Sequence, residues 1–143
     1  MTSALRVPFV DHLGLTLLRA EGGEAELALG LRDELTNSWG VAHGGVVMTL
    51  LDVAMAIAAR SVQRHGAEPP GVATIEMKTS FMQPAEGELR AHGRLVHRTA
   101  TLAFCEGWVA DDHGHRCAHA SGTFKYLRAL PTRGRVLKVP DIL

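Results

Sequence analysis

The stretch of sequence that most constrains the fold is residues 46–59, which would be apolar on nearly every side of a helix and yet contain one acid, Asp52. The stretch lacks proline and is rich in Ala, Leu and Met, which predicts a long helix from residue 44 or 45 to about residue 65. Gly66 is placed to stop that helix. A helix that is apolar all round should be enclosed by the rest of the protein, and this run is too short to span a membrane comfortably.

Strand-like runs lie on both sides of this helix in the sequence. Residues 7–14 are predicted to form a short helical turn, and residues 15–31 to form two strands around a Glu-Gly-Gly turn. Further strands are predicted at residues 72–81 and 88–98 and in a long hairpin over residues 101–127. The order of two strands, one long helix and at least four strands predicts an α+β architecture, in which an antiparallel β-sheet wraps around one central helix.

Alternation of apolar and polar residues predicts which face of each strand packs on the helix. In the second strand the apolar positions are Ala25, Leu27, Leu29 and Leu31. In residues 72–81 the apolar face is predicted to hold Ala73, Ile75, Met77 and Phe81, and the polar face Thr74, Glu76, Lys78 and Ser80. A bulge in this strand would change that assignment.

Composition excludes several classes of partner. The chain of 143 residues carries 15 basic and 15 acidic side chains, so no global field favours nucleic acid or an anionic membrane. The N-terminus shows neither a basic start followed by an apolar core nor a small-residue cleavage site, and we expect a cytoplasmic protein. A single domain is expected over residues 1–143, with an irregular tail over 128–143.

The cysteines and histidines of the β-hairpin predict neither a disulfide bond nor a metal site. Cys105 and Cys117 are not directly opposite each other on the predicted hairpin, so we interpret them as two small buried thiols in a reducing cytosol. His113, His115 and His119 have a spacing that could suggest a metal. Two of them lie in the hairpin turn, however, and no carboxylate or thiolate completes a tetrahedral set, so we expect no metal site.

Asp52 is the first candidate for chemistry. A charged carboxylate in a dry interior is costly, so it should be either a structural acid with a hydrogen-bonding partner or a general base or nucleophile that faces a site. His43 and Gly44 stand at the predicted helix start, where free N–H groups could stabilise the oxyanion of an acyl-transfer intermediate, although His43 could equally be a capping residue. Along one helix Gly44 and Asp52 would be about 12 Å apart, so a shared site needs a second copy of the chain.

The segment NSWGVAHGGVVMTLLDVA, residues 37–54, resembles the signature Asn-x-x-Gly-x-x-His-Gly-Gly-x(6)-Asp-x-Ala of hotdog-fold acyl-CoA thioesterases. The branch it resembles contains the phenylacetate-pathway (PaaI-like) enzymes and thioesterase superfamily member 2. Weaker resemblance extends over roughly residues 10–127. It implies the hotdog fold, a hydrolase that releases a carboxylic acid from coenzyme A, and a homodimer that often pairs into a homotetramer, with the active site between subunits.

The resemblance also implies a role for individual residues. Asp52 of one subunit would activate water or attack the thioester carbonyl as a nucleophile. The partner would supply the Gly44 N–H for the oxyanion, with Asn37 and His43 positioning the thioester. Thr74 would help to hold the water, although strict alternation of the strand would turn it away from the helix.

Coenzyme A would be part of the substrate, and no separate cofactor is expected. The family segment that contacts its phosphates corresponds to residues 97–102, where Arg98 and Thr99 are the first candidates and His97 and Thr101 lie beside them. Thr123 on the last strand is a further candidate. The alternative for this segment is a solvated strand end with ordinary surface charges.

Two other activities stay open for this sequence. The protein could be a non-catalytic acyl-CoA binding protein in which Asp52 is structural, or a hotdog-fold hydratase or dehydratase, against which the His43-to-Asp52 spacing argues. Trp39 and Trp108 are interpreted as packing residues, since aromatic residues are few. The acyl group is undetermined, but an adaptable apolar wall could be built from Met48, Met55, Met77 and Met82.

Overall fold

The structure is a computed structural model that describes residues 7–62 and 71–127. Its elements are helix α1 (Pro8–Leu13), strands β1 (Thr16–Glu21) and β2 (Glu24–Gly30), helix α2 (Gly44–Arg60), and strands β3 (Gly71–Phe81), β4 (Glu88–Arg98), β5 (Leu102–Ala110) and β6 (Arg116–Leu127), with one 3-10 turn at Asp33–Leu35. The predicted helix stop at Gly66 and the predicted tail over 128–143 lie outside the described residues.

The six strands form one antiparallel sheet in the order β1-β2-β4-β5-β6-β3, so β1 and β3 are its edges. Helix α2 packs on one face of that sheet and contacts all six strands. The α+β class and the single long helix held by an antiparallel sheet are therefore confirmed. Within the described ranges, no helix is both long enough and apolar enough to cross a membrane.

Helix α2 is enclosed on one side only. Its buried side chains recur every three or four residues, which is the spacing of one helix face. They are Val47, Leu50, Leu51, Ala54, Met55, Ala58 and Ala59. The opposite side, which carries Asp52, leaves Val53 and Ile57 partly exposed. The prediction of a helix enclosed all round is wrong for the single chain, because the sheet covers only one side of it.

Helix α2 also ends earlier than predicted, at Arg60 instead of about residue 65. Ser61 stops it, because the Ser61 hydroxyl donates to the Ala58 carbonyl oxygen at 2.7 Å and accepts the Gly23 N–H at 2.8 Å. The Tyr126 hydroxyl donates to the Ala59 carbonyl oxygen at 2.8 Å. The last carbonyl groups of the helix are thus satisfied by side chains, and the glycine is not needed to end it.

Close contact between helix and sheet depends on a glycine in the middle of β4. A Cβ atom at Gly93 would collide with the backbone of Ala54 and Met55, the centre of α2. The helix backbone therefore rests almost directly on the sheet. Sequence reasoning did not single out this position, because its role depends on a residue 39 positions away in the chain (93 − 54).

Strand β3 contains a bulge at Ile75 that reverses part of its predicted facing. Thr74 pairs with Phe124, but Glu76 pairs with the preceding residue of β6, Thr123, so Ile75 is the extra residue. Thr74 consequently shares the helix-facing side with Met77, while Ile75 is exposed. The prediction that Ala73 and Ile75 face the helix is wrong, because the bulge shifts the alternation by one residue.

Both cysteines are buried free thiols, as predicted. The Cys105 thiol lies 3.6 Å from the Met55 carbonyl oxygen, and the Cys117 thiol lies 3.5 Å from the Pro84 carbonyl oxygen. Burial raises the pKa of Cys105 to about 12. A thiol with so high a pKa is almost wholly protonated at neutral pH and is a poor nucleophile.

Candidate active site

Asp52 lies on the open side of α2 and is held by one neighbour. The Thr74 hydroxyl donates to Asp52 Oδ1 at 2.6 Å, which leaves Oδ2 without a role in this contact. Asp52 is only half-buried, and none of the described residues is a buried polar or charged one. Asp52 therefore has the hydrogen-bonding partner expected for a carboxylate on an apolar helix, but it does not lie in a dry interior. The side of the helix that Asp52 occupies is the one that the sheet leaves uncovered.

His43 caps the start of α2 with its ring. His43 Nδ1 accepts the Gly45 N–H at 2.8 Å, and the His43 carbonyl oxygen accepts the N–H groups of Val46 and Val47. Because Nδ1 is an acceptor, the neutral ring must carry its proton on Nε2, which can donate outward. Among the described residues no acceptor is found for the Gly44 N–H, so it remains an open donor at the positive end of the helix.

Asn37 organises the loop that leads into the helix. Its Oδ1 accepts the N–H groups of Trp39 at 2.9 Å and Val41 at 3.4 Å, and its own N–H donates to the Val41 carbonyl oxygen at 2.9 Å. Gly40 completes the turn with φ +75°. Since Oδ1 is occupied, the Asn37 side chain can address a ligand only as a donor, through Nδ2.

A cavity of about 320 Å³ opens beside Gly44. Its lining comes from the loop before α2, the first turns of α2, the end of β3 with the loop that follows it, and the start of β6. The lining residues are Asn37, Trp39, Val41, Ala42, Gly44, Val47, Phe81, Met82, Gln83, Pro84, Ala85, Cys117 and Ala118. Of the four methionines predicted to form an apolar wall, Met82 lines this cavity, whereas Met48, Met55 and Met77 do not. Met55 is fully buried in the core.

The two halves of the predicted machinery stay apart within one chain. Asn37, His43 and Gly44 meet at the start of α2, whereas Asp52 and Thr74 meet two turns further along it. Gly44 and Asp52 are separated by about 12 Å along the helix axis. A single carbonyl group cannot touch both residues of one described chain.

The predicted coenzyme A contacts gather at the far end of α2. Arg98 lies over the Tyr126 ring and donates to the Val62 carbonyl oxygen at 3.4 Å. The Thr99 hydroxyl accepts the N–H groups of Thr101 and Leu102, which fixes the turn between β4 and β5. Arg98 and Thr99 therefore have structural partners there.

The other two candidates have different surroundings. His97 is exposed and its ring stacks on that of Phe104, with the centroids 6.2 Å apart. Thr123 lies in a groove on the sheet face turned away from α2, together with the acids Glu76 and Glu106. Acidic neighbours repel a phosphate, so the groove around Thr123 is a poor phosphate site. Thr123 also lies in a different place from Arg98.

The histidines of the β5–β6 hairpin face acids of the same turn. His115 Nδ1 lies 3.5 Å from Asp111 Oδ2, and His113 Nε2 lies 3.6 Å from Asp112 Oδ1. In residues 7–62 and 71–127 no three histidine, cysteine, aspartate or glutamate side chains come together as a metal-binding group.

The predicted packing role of Trp39 is wrong. Its side chain is 86% exposed at the rim of the cavity beside Gly44, so it is not a packing residue in the described structure. Trp108 does pack, with Arg116 4.2 Å from its ring centroid and His92 stacked on it. The available signal for Trp39 was its place between Asn37 and Gly40, which is typical of an exposed turn.

Comparison with known proteins assigns the family. A model of the Thioesterase superfamily matches residues 40–118, a range that includes Gly44, Asp52 and Thr74. A "putative esterase" of Halobacterium salinarum is 32% identical over 128 residues, which cover 83% of this chain and 84% of that protein. Human acyl-coenzyme A thioesterase 13 is 35% identical over 94 residues, or 63% of each chain.

A solved structure agrees with these relatives. A thioesterase family protein from Silicibacter pomeroyi has a TM-score of 0.78 and 28% sequence identity, with 85% of this chain and 90% of that chain covered. The family match spans more than half of the sequence, and the fold matches as well. The chain therefore belongs to the Thioesterase superfamily.

Proposed function

We propose that this protein is an acyl-CoA thioesterase, which hydrolyses an acyl or aryl-acyl thioester to a free acid and coenzyme A. The observation that carries the proposal is the 2.6 Å hydrogen bond between Thr74 and a half-exposed Asp52, since a carboxylate so placed can reach a substrate. Family membership supports thioester hydrolysis in general. The name of the human relative, acyl-coenzyme A thioesterase 13, and the signature over residues 37–54 support coenzyme A as the thiol and the PaaI-like branch.

The proposed chemistry uses the two Asp52 oxygens differently. Oδ1 is held by Thr74, so Oδ2 is available to accept a proton from water. The water oxygen bonds to the thioester carbonyl carbon, and the carbon–sulfur bond then breaks. The proton taken by Asp52 passes to the departing thiolate. Direct attack by Oδ2, with water hydrolysing the resulting anhydride, uses the same groups and stays an alternative.

The oxyanion would be bound at the start of the partner's helix. Its Gly44 N–H has no acceptor among the described residues, and preorganised backbone donors of this kind typically contribute about 10²- to 10³-fold in rate. The Nε2–H of His43 and the Nδ2 group of Asn37 are donors near the same point. These two would orient the thioester before attack.

We infer that two copies of the chain form the site, and that dimers can pair further into a homotetramer. β3 is an edge strand that leaves Ile75 and Phe81 exposed, which is a template for pairing with another strand. The uncovered side of α2 adds Val53 and Ile57 to this apolar surface. A second copy would cover both features and would bring its Gly44 toward the first copy's Asp52.

The phosphates of coenzyme A would bind to basic and hydroxyl side chains near the C-terminal end of α2. Arg98 is the proposed principal contact, with His97, Thr99 and Thr101 beside it in the turn between β4 and β5. Arg98 presents several N–H donors, and its bond to the Val62 carbonyl oxygen uses only one of them. Thr123 is the weakest of these proposed contacts because Glu76 and Glu106 line the same groove.

The experiment is free thiol release from a panel of acyl-CoA thioesters by wild-type protein and by Asp52→Asn. We expect turnover to fall by roughly 10²- to 10⁴-fold with KM nearly unchanged, as for loss of a general base. Glu21→Gln makes the same change in charge at an exposed position of β1 and should leave turnover unchanged. Full activity in Asp52→Asn would exclude its catalytic role, and binding without thiol release by wild type would indicate a non-catalytic binder.

A further inference from the structure

The cavity beside Gly44 has a lining without charge. None of its lining residues is acidic or basic, and its polar side-chain groups are the amides of Asn37 and Gln83, the indole N–H of Trp39 and the thiol of Cys117. Gln83 Nε2 already donates to the Arg116 carbonyl oxygen at 2.9 Å, and Asn37 Oδ1 is occupied within its own turn. The Gly44 N–H and the Asn37 Nδ2 group are committed to the thioester under the proposed function, so an ionised acyl group in this cavity would lose its water without gaining a charged partner. The chemistry of the lining therefore favours an uncharged, apolar occupant.

Three large apolar side chains stand exposed around this cavity. Trp39, Phe81 and Met82 are 86%, 55% and 54% exposed, and all three belong to its lining. The turn fixes the backbone of Trp39, because its backbone N–H donates to Asn37 Oδ1 at 2.9 Å. An exposed cluster of large apolar residues on a rim marks a binding surface more often than chance.

The position of the cavity identifies what would fill it. Gly44 lines the cavity, and its open N–H is where the thioester carbonyl oxygen would bind under the proposed function. The acyl carbons are bonded to that carbonyl, so the first of them lie within a few ångströms of it. They would therefore enter the same cavity, with the indole of Trp39 at its outer end.

We propose that Trp39 is a specificity-determining residue, which packs against the apolar part of the acyl group and selects uncharged acyl chains over short or carboxylate-bearing ones. The proposal rests on the function proposed above and extends it to the acyl half of the substrate. Trp39 acts by contact with substrate carbons, and the reacting atoms stay with Asp52 and Gly44. Its contribution should thus depend on the acyl group.

The two tryptophans of the chain allow a binding test that needs no turnover. In Trp108→Phe, Trp39 is the only indole, and titration with an octyl thioether analogue of acyl-CoA should change its fluorescence. Coenzyme A alone should leave the emission unchanged. In the mirror variant, Trp39→Phe, the remaining Trp108 packs against Arg116 on β6 and should not respond. Unchanged Trp39 emission while calorimetry detects analogue binding would overturn the proposal.

Kinetics on Trp39→Ala provide the second arm. We expect kcat/KM to fall roughly 10- to 100-fold for octanoyl-CoA, and by less than about twofold for acetyl-CoA and succinyl-CoA. Leu18→Ala, which removes an exposed apolar side chain from the far edge strand β1, should change none of these values. An equal loss for all three substrates, or conversion of the protein to a monomer without a change in selectivity, would make Trp39 an interface residue and overturn the proposal.

The two proposals fail in different ways. If wild type binds the octyl analogue and Trp39 responds, but no thioester is hydrolysed, the thioesterase assignment is wrong and the acyl pocket stands. If thioesters are hydrolysed with the same selectivity by wild type and Trp39→Ala, the thioesterase assignment stands and the role of Trp39 is wrong. If the octyl analogue does not bind, the role of Trp39 is wrong, and the thioesterase assignment is decided separately by thiol release from the acyl-CoA panel.

Discussion

Thr74 donates its hydroxyl hydrogen to Asp52 Oδ1 at 2.6 Å, across 22 residues of sequence and between a bulged edge strand and the open side of the helix. The contact fixes Oδ1 of the carboxylate, and Oδ2 takes no part in it. A structural acid and a catalytic acid would both need such a partner. They differ in what happens when the hydroxyl is removed.

Replacing Thr74 with valine keeps the shape of the side chain and removes the hydroxyl. We expect turnover to fall roughly 10- to 100-fold, which corresponds to the loss of one hydrogen bond to a charged group. Thr74→Ser should restore most of it. Because Thr74 is exposed, urea denaturation should show a change of less than about 1 kcal/mol in either variant. A large loss of stability with normal turnover would mean that the pair is structural.

His43 has two roles that substitutions can separate. His43→Asn supplies a side chain that caps helices well but has no equivalent of Nε2–H, so stability should be kept while activity falls. His43→Ala loses the cap as well and should cost about 1 kcal/mol in the free energy of unfolding. Thermal and urea unfolding of both variants, beside their rates, check this. Equal activity in His43→Asn and wild type would mean that His43 only caps the helix and does not position the substrate.

Gly93 should be far less tolerant of a methyl group than Gly30 at the end of β2. A Cβ there meets the backbone of Ala54, which cannot move without the whole helix, so Gly93→Ala should cost about 1–3 kcal/mol or more. Gly30→Ala is the matched control, because nothing lies within 4 Å of its added Cβ. Urea denaturation of the two variants compares them directly. Similar stabilities would contradict the close approach of α2 to β4.

We expect the protein to lose stability at alkaline pH, because the buried thiol of Cys105 resists ionisation in the folded state. Burial raises its pKa to about 12 in the folded state, against a usual value of 9.0. The stabilisation from a protonated thiol is complete below pH 9 and is lost as the pH rises toward 12, by at most about 1.4 kcal/mol per pH unit. The free energy of unfolding should fall less steeply over this range in Cys105→Ala. Parallel slopes for the two proteins would contradict the buried thiol.

Much of the fold could be predicted from periodicity, but several site features could not. The alternation at Ala25, Leu27 and Leu29 is a local signal, and those side chains are buried as predicted. The facing of Thr74 depends on the bulge at Ile75, which is set by pairing with β6 and leaves no mark within the strand itself. Local patterns predict elements, whereas the register between distant strands decides which side chains meet.

The exposure of Asp52 and Trp39 also could not be predicted from the local sequence. Residues 46–59 predict an enclosed helix, yet one chain has only enough sheet to cover one side of it. Aromatic residues are usually packed, yet Asn37 turns the loop so that Trp39 stands outside. In both cases the missing cover is what a ligand or a second chain would provide under our proposals.

Subunit complementation tests most directly the central claim that Asp52 and Gly44 act from different chains. Gly44→Pro removes the N–H at the first helical position, where proline is well tolerated, and His43 already has the extended backbone (φ −60°, ψ 138°) that precedes proline. Each of Asp52→Asn and Gly44→Pro alone should lose most activity. A heterodimer of the two, purified through two different tags, contains one intact site and should show about half of wild-type turnover. A heterodimer as inactive as its parents would contradict a site shared between subunits.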